Sequence, residues 1–296
     1  MSAIDRRSLY QWCRVPAAEL ERHPSRRVPF RMVKDSAAMG ELMARELVEA
    51  IEEANARGGE LRAIIPCGPS CWYAPFAALV NAKKVSLRRF VVFHMDECLD
   101  WQGRVLPRSH PYSFRGFMEK HFYGPVLPEL SVPEENRFWL EPSTADGVRE
   151  AIASGPVHLT YGGWGQDGHI AYNQAKRGQY SPVSLEEMES STIRIQENNT
   201  DTIIALAQRT FGAAWQFVPP LSITLGLKEC LSARKVRLFS DTGAWKQTAL
   251  RVALFSPPTP EYPLTLLQKH PDALLTATEE TARHPVSLHP EWDLGL

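Results

Sequence analysis

Asp167 and His169 stand two residues apart in the stretch Leu159-Thr160-Tyr161-Gly162-Gly163-Trp164-Gly165-Gln166-Asp167-Gly168-His169-Ile170-Ala171-Tyr172-Asn173, directly after an apolar run. An imidazole exchanges protons near neutral pH, and a nearby carboxylate can orient it. The glycines, Gly163 among them, let the backbone take positive φ and come close to a ligand. Together these residues suit proton transfer on a sugar-sized molecule. The plainer alternative is a tight turn carrying a surface histidine.

A second candidate is the carboxylate pair Asp96-Glu97, which follows the apolar run Phe90-Val91-Val92-Phe93-His94-Met95. Charge beside a core strand is costly unless it is used. If residues 90–94 form a strand of a parallel sheet, the pair sits just past its carboxyl end, where such sheets place ligand-binding groups. A solvated cap of the next segment is the alternative. The loop Pro66-Cys67-Gly68-Pro69-Ser70 lies between an expected strand and an expected helix. Backbone N–H groups and the positive helix end can hold a phosphate there, with Ser70 donating its hydroxyl.

These loops need elements to hold them. Ser36 reads as the cap of a helix through Ala56, with Met39, Leu42, Met43, Leu47 and Ile51 on one face and Gly58-Gly59 ending it. Further helices are expected at 73–81, 113–122, 144–153, 201–210 and 244–253. Strands are expected at 61–65, 89–94, 157–161, 236–240 and 273–276. The alternation predicts an α/β fold, a mostly parallel sheet with helices on both faces.

With 296 residues, 44% of them hydrophobic, the chain is long enough to bury such a core as one domain. A net charge of -1 offers no electrostatic case for nucleic acid or an anionic membrane as partner. No sustained apolar stretch follows Met1-Ser2-Ala3-Ile4-Asp5-Arg6-Arg7, and no later run approaches the ~18 residues of a membrane span, so a cytoplasmic location is expected. Five cysteines without a repeated spacing argue against a disulfide framework. Cys67, Cys71 and Cys98 could gather with His94 or His110 around a metal, but a C-x₃-C interval is not a strong zinc pattern, and no metal is expected.

The Asp167-His169 and Asp96-Glu97 strings resemble the glucosamine-6-phosphate deaminase/isomerase family, whose relatives include the 6-phosphogluconolactonases. Similar segments continue in the same order through His110-Pro111-Tyr112-Ser113-Phe114, Leu221-Ser222-Ile223-Thr224-Leu225-Gly226, Gly243-Ala244-Trp245-Lys246 and His270-Pro271-Asp272-Ala273. The resemblance covers roughly residues 28–285 and implies a Rossmann-like domain over 28–296, preceded by an extra arm, residues 1–27. It implies a phosphosugar substrate and no organic cofactor. Asp96 would shuttle a proton between carbons 1 and 2, and His169, oriented by Asp167, would assist ring opening. Arg194 and Lys246 match positions that hold the sugar phosphate, although each could equally be a solvated cation. Gly68, Ser70, Glu97 and Gly163 would line the substrate. The family includes single subunits and rings, which leaves room for a homo-oligomer.

Gln174 departs from this pattern. In the deaminases the position five after the loop histidine is a glutamate, completing an Asp-His-Glu group; here it is a glutamine, which keeps the hydrogen-bonding shape and loses the charge. An imidazolium without that carboxylate is less stabilised. Three activities therefore stand open: an isomerase or deaminase on an amino-hexose phosphate, a sugar-phosphate lactone hydrolase needing only one base, and a sugar-phosphate-binding protein without turnover. Ala171-Tyr172-Asn173 leans to the deaminase side.

Overall fold

The computed structural model describes residues 4–176 and 183–296, so Met1, Ser2 and Ala3 lie outside it. In chain order the strands are β1 (Phe30–Val33), β2 (Leu61–Ile65), β3 (Phe90–His94), β4 (Asp96–Leu99), β5 (Arg137–Phe138), β6 (Leu159–Gly162), β7 (Arg194–Glu197), β8 (Leu221–Thr224), β9 (Lys235–Ser240) and β10 (Ala273–Thr278). The helices used below are α1 (Arg6–Arg14), α2 (Ser36–Ala56), α3 (Tyr73–Lys83), α4 (Phe114–Met118), α5 (Ala145–Ala153), α6 (Leu185–Glu189), α7 (Thr200–Thr210), α8 (Leu227–Cys230) and α9 (Gln247–Phe255).

Seven strands form one sheet in the order β1-β10-β9-β6-β2-β3-β5, and every neighbouring pair is parallel. The chain runs outward from β2 through β3 to β5, returns to β6 beside β2, and runs outward the other way through β9 and β10. The strand order therefore reverses between β2 and β6, and a crevice opens at their carboxyl ends. One core cluster contains Met43, Leu47 and Phe76 from α2 and α3; the other contains Val148, Leu250 and Leu254 from α5 and α9. The sheet is thus covered by helices, as the alternation predicts. Among the described residues no helix is long and apolar enough to cross a membrane.

Helix α2 is capped by Asp35, whose side chain accepts from Ala38 N. Ser36, expected in that role, instead donates from Oγ to Asp241 Oδ2 at 2.7 Å. The aspartate fits because the cap residue stands in extended conformation, with φ -155°, just before the helix begins. Asp96-Glu97 stands just past the carboxyl end of β3, as expected, and also opens β4, in a small antiparallel sheet of order β4-β8-β7 that was not expected. Asp96 and Arg194 both pair with Thr224 in this sheet. The N-terminal arm is docked on the main body: Arg251 Nη2 donates to Val15 O at 3.0 Å, and Leu20 is fully buried in the core cluster of α5 and α9.

Candidate active site

The loops after β2, β3, β6 and β9 close around a cavity of about 470 Å³ whose walls include Gly68, Ser70, Asp96, Gly163, His169 and Lys246. That volume suits a small polar ligand. The loop after β2 is fixed from behind: Trp72 Nε1 donates to Pro69 O at 3.0 Å, and the single Tyr73 O–H is shared between Pro66 O and Cys67 O at 3.0 and 2.9 Å. Gly68 and Ser70 are thereby presented ahead of α3.

Successive side chains of a strand point to opposite faces, and β4 uses this to separate its two carboxylates. Asp96 faces the cavity. Burial, then the neighbouring Glu97, pushes its carboxyl up to about 8. Glu97 points away and does not line the cavity. It accepts from Cys98 N, Phe114 N and Arg115 N at 2.9, 2.8 and 2.8 Å, fastening the start of α4 to β4. Burial pushes Glu97 up to about 7, although those three donors favour its ionised form.

In the loop after β6, His169 Nδ1 lies 2.5 Å from Asp167 Oδ1. A carboxylate at that distance makes Nδ1 the proton-bearing nitrogen and leaves Nε2 to exchange protons on the cavity side. The ring lies parallel to Tyr172, with centroids 5.8 Å apart and planes 12° apart. Gly165 makes room for it, since a Cβ there would come within 2.1 Å of His169 Cε1. Gly168 turns the chain at φ +71°. Ala171, also on the cavity wall, holds φ 54°, an uncommon conformation for a residue with a side chain.

Gln174 lies behind the histidine and is buried. Its Nε2 comes within 3.4 Å of His169 Nδ1, but two donors cannot bond each other, so this is proximity alone. The amide is engaged elsewhere: Oε1 accepts from Asn199 N at 2.8 Å, and Nε2 donates to Thr202 Oγ1 at 2.5 Å. Gln166 Nε2 donates to the same hydroxyl at 2.9 Å. Gln174 therefore ties the loop after β6 to the first turn of α7.

The far end of α7 brings Arg209 to the cavity wall, with Thr202 and Leu206 on the same face. Lys246, in the turn Gly243–Lys246, also reaches the cavity wall. Burial and then the charge of Arg209 hold its ammonium down to about 8, while Asp241 and Asp167 pull the other way. Sequence reasoning missed Arg209. The available signal was the helical spacing of Thr202, Leu206 and Arg209, which stacks them along one stripe. Arg194 is not brought to this cavity. Its guanidinium donates to Asn173 Oδ1 at 2.8 Å and Gln196 Oε1 at 3.1 Å, and it lines a separate groove beside β7.

The cysteines and histidines weighed as metal ligands are spent otherwise: His94 Nε2 meets Tyr123 OH at 3.0 Å and Cys98 Sγ meets Tyr172 OH at 3.4 Å. Among the described residues no group of three or more His, Cys, Asp or Glu could hold a metal ion.

A carboxylate and a carboxylate-supported imidazole, at the switch point of a doubly wound sheet and with two cations nearby, define a Rossmann-like α/β protein whose cavity holds groups capable of acid–base chemistry. No family model matches the chain. Glucosamine-6-phosphate deaminase of Cronobacter sakazakii is 31% identical over 251 residues, covering 81% of this chain and 86% of its own. Among solved structures, a monomeric glucosamine-6-phosphate deaminase superposes with a TM-score of 0.71 over 86% of this chain and 98% of its own, at 18% identity. A 6-phosphogluconolactonase from Shewanella baltica gives 0.58 over 84% and 97%, also at 18% identity. Those two likenesses concern the fold. The chain belongs to the glucosamine-6-phosphate deaminase family.

Proposed function

We propose that the protein converts an amino-hexose phosphate such as glucosamine 6-phosphate to fructose 6-phosphate and ammonia. The observation that carries this reading is that Asp96 and His169 reach one cavity as two separate acid–base groups, as an aldose–ketose conversion requires. His169 Nε2 moves the protons that open the ring, between the anomeric hydroxyl and the ring oxygen. Asp96, once ionised, takes the proton from carbon 2 and leaves an enediol-type intermediate bearing the amine. Asp96, once its acquired proton has exchanged with solvent, protonates carbon 1 and gives the imine at carbon 2, to which water adds as ammonia departs. Arg209 and Lys246 hold the phosphate, and the Gly68–Ser70 loop closes the same wall. Gln174 does not share the proton of His169; it holds α7, and so Arg209, in register with the loop.

One observation favours a second reading. With a neutral Gln174, Asp167 is the carboxylate bonded to His169 Nδ1. A single supported base is enough to activate water against a phosphogluconolactone. The test gives the purified protein glucosamine 6-phosphate and, separately, 6-phosphogluconolactone. Ammonium and fructose 6-phosphate from the first support deamination; lactone turnover without ammonium supports hydrolysis. Phosphate-dependent thermal stabilisation with neither product would leave a binding protein.

A further inference from the structure

Arg209 and Lys246 reach the cavity from different elements, one on α7 and the other in the turn after β9, and both lie over the indole of Trp245. The Arg209 guanidinium carbon is 4.9 Å from the indole ring centroid and Lys246 Nζ is 5.0 Å from it. Trp245 itself is half-buried and faces the cavity. Two like charges brought to one wall repel, and Asp241 and Asp167 offset this only on the side of Lys246. The electron-rich face of an indole attracts both cations without neutralising either. The turn that aims the ring is itself constrained: Gly243 takes φ +70°, and a Cβ there would come within 2.6 Å of Glu280 Oε1.

We propose that Trp245 is a positioning residue, whose ring presets Arg209 and Lys246 as a fork for a dianionic phosphate before the substrate arrives. This rests on the reading of those two cations as the phosphate site. Trp245 acts on the phosphate end through the cations and makes no stacking contact with the sugar ring. Phosphate alone therefore senses it.

The experiment compares wild type, Trp245→Leu and Trp245→Phe by titration calorimetry with inorganic phosphate and by steady-state kinetics with glucosamine 6-phosphate. Trp245→Leu is expected to weaken inorganic phosphate roughly tenfold and to raise KM in step, with kcat falling no more than about twofold. Trp245→Phe, which keeps a π face, stays within about threefold of wild type. The proposal is overturned if Trp245→Leu binds inorganic phosphate as wild type does. It is equally overturned if KM rises while inorganic phosphate affinity does not, which would make the indole a sugar-ring contact. Arg209→Gln and Lys246→Gln are titrated alongside. Wild-type phosphate affinity in both would remove the fork itself, a failure distinct from that of Trp245.

Discussion

His169 Nδ1 faces Asp167 Oδ1 at 2.5 Å, and the Gln174 amide, 3.4 Å from the same nitrogen, is turned toward Asn199 and Thr202 instead. The histidine thus has one charged supporter. Asp167→Asn removes it and leaves the wrong ring nitrogen carrying the proton. Both this variant and His169→Ala should lower kcat about 10²- to 10⁴-fold with little change in KM. Loss through KM alone would argue that the pair binds substrate and moves no proton.

Gln174→Glu tests the neutral position directly. A glutamate can still accept from Asn199 N, and Thr202 can rotate its hydroxyl to donate, so the link to α7 survives. The added charge stabilises an imidazolium on the same ring, and kcat for glucosamine 6-phosphate should rise about fivefold, corresponding to about 1 kcal/mol. Gln174→Ala and Thr202→Val break the link and should raise KM by similar, non-additive factors. Additive effects would mean that the two residues act separately.

The pH profile follows from two groups. Asp96 works ionised, and burial with Glu97 beside it puts its carboxyl at about 8, so activity grows as pH rises toward that value. Lys246 works protonated, and burial with Arg209 nearby holds it at about 8, so phosphate binding fades as pH rises past that value. The two limbs cross, and kcat/KM should show a narrow maximum near pH 8. Lys246→Arg, always charged, should extend the alkaline limb while leaving the acid limb in place. An alkaline limb that does not move would assign it to another group.

Arg209 and Arg194 make opposite predictions. Arg209→Gln should raise KM about 100-fold, the loss of a charge-assisted phosphate contact worth about 2–3 kcal/mol. Arg194→Gln, in the groove beside β7, should change KM less than about threefold by the same scale. The reverse order in the same assay would transfer the phosphate to the Arg194 groove.

Glu97 is a fastening. Glu97→Ala leaves three backbone N–H groups without their acceptor and should cost about 3 kcal/mol in urea unfolding. It also removes a charge that raises the Asp96 carboxyl, so the acid limb should move to lower pH. A fully stable variant with weakened substrate binding would return Glu97 to the substrate.

Much of this was legible in the residues. The strand at Leu61–Ile65 and the helix ending at Ala56 fall where periodicity places them, because long apolar repeats sample their pattern several times. Asp96, Asp167 and His169 were legible because charge at a strand end and glycine around an imidazole are poor choices for a core. The antiparallel sheet was not. Its strands are four residues each, too short for alternation to register, so Asp96-Glu97 was placed past the end of β3 without being seen to start another strand. For the same reason Glu97 was expected to line the substrate, when adjacency on a strand sends it to the face opposite Asp96. Arg209 was hidden because a cation in the last turn of a helix already has a local explanation, its attraction to the helix carboxyl end. Only the packing of α7 against the loops turns it into the cavity.

The most direct test of the account is solvent deuterium incorporation by wild type and Asp96→Asn with glucosamine 6-phosphate in D₂O, following ammonium by coupled assay and carbon-bound protons by NMR. Wild type should release ammonium and yield fructose 6-phosphate carrying deuterium at carbon 1, and Asp96→Asn should do neither while still binding inorganic phosphate. Ammonium release and deuterium incorporation undiminished in Asp96→Asn would contradict the account.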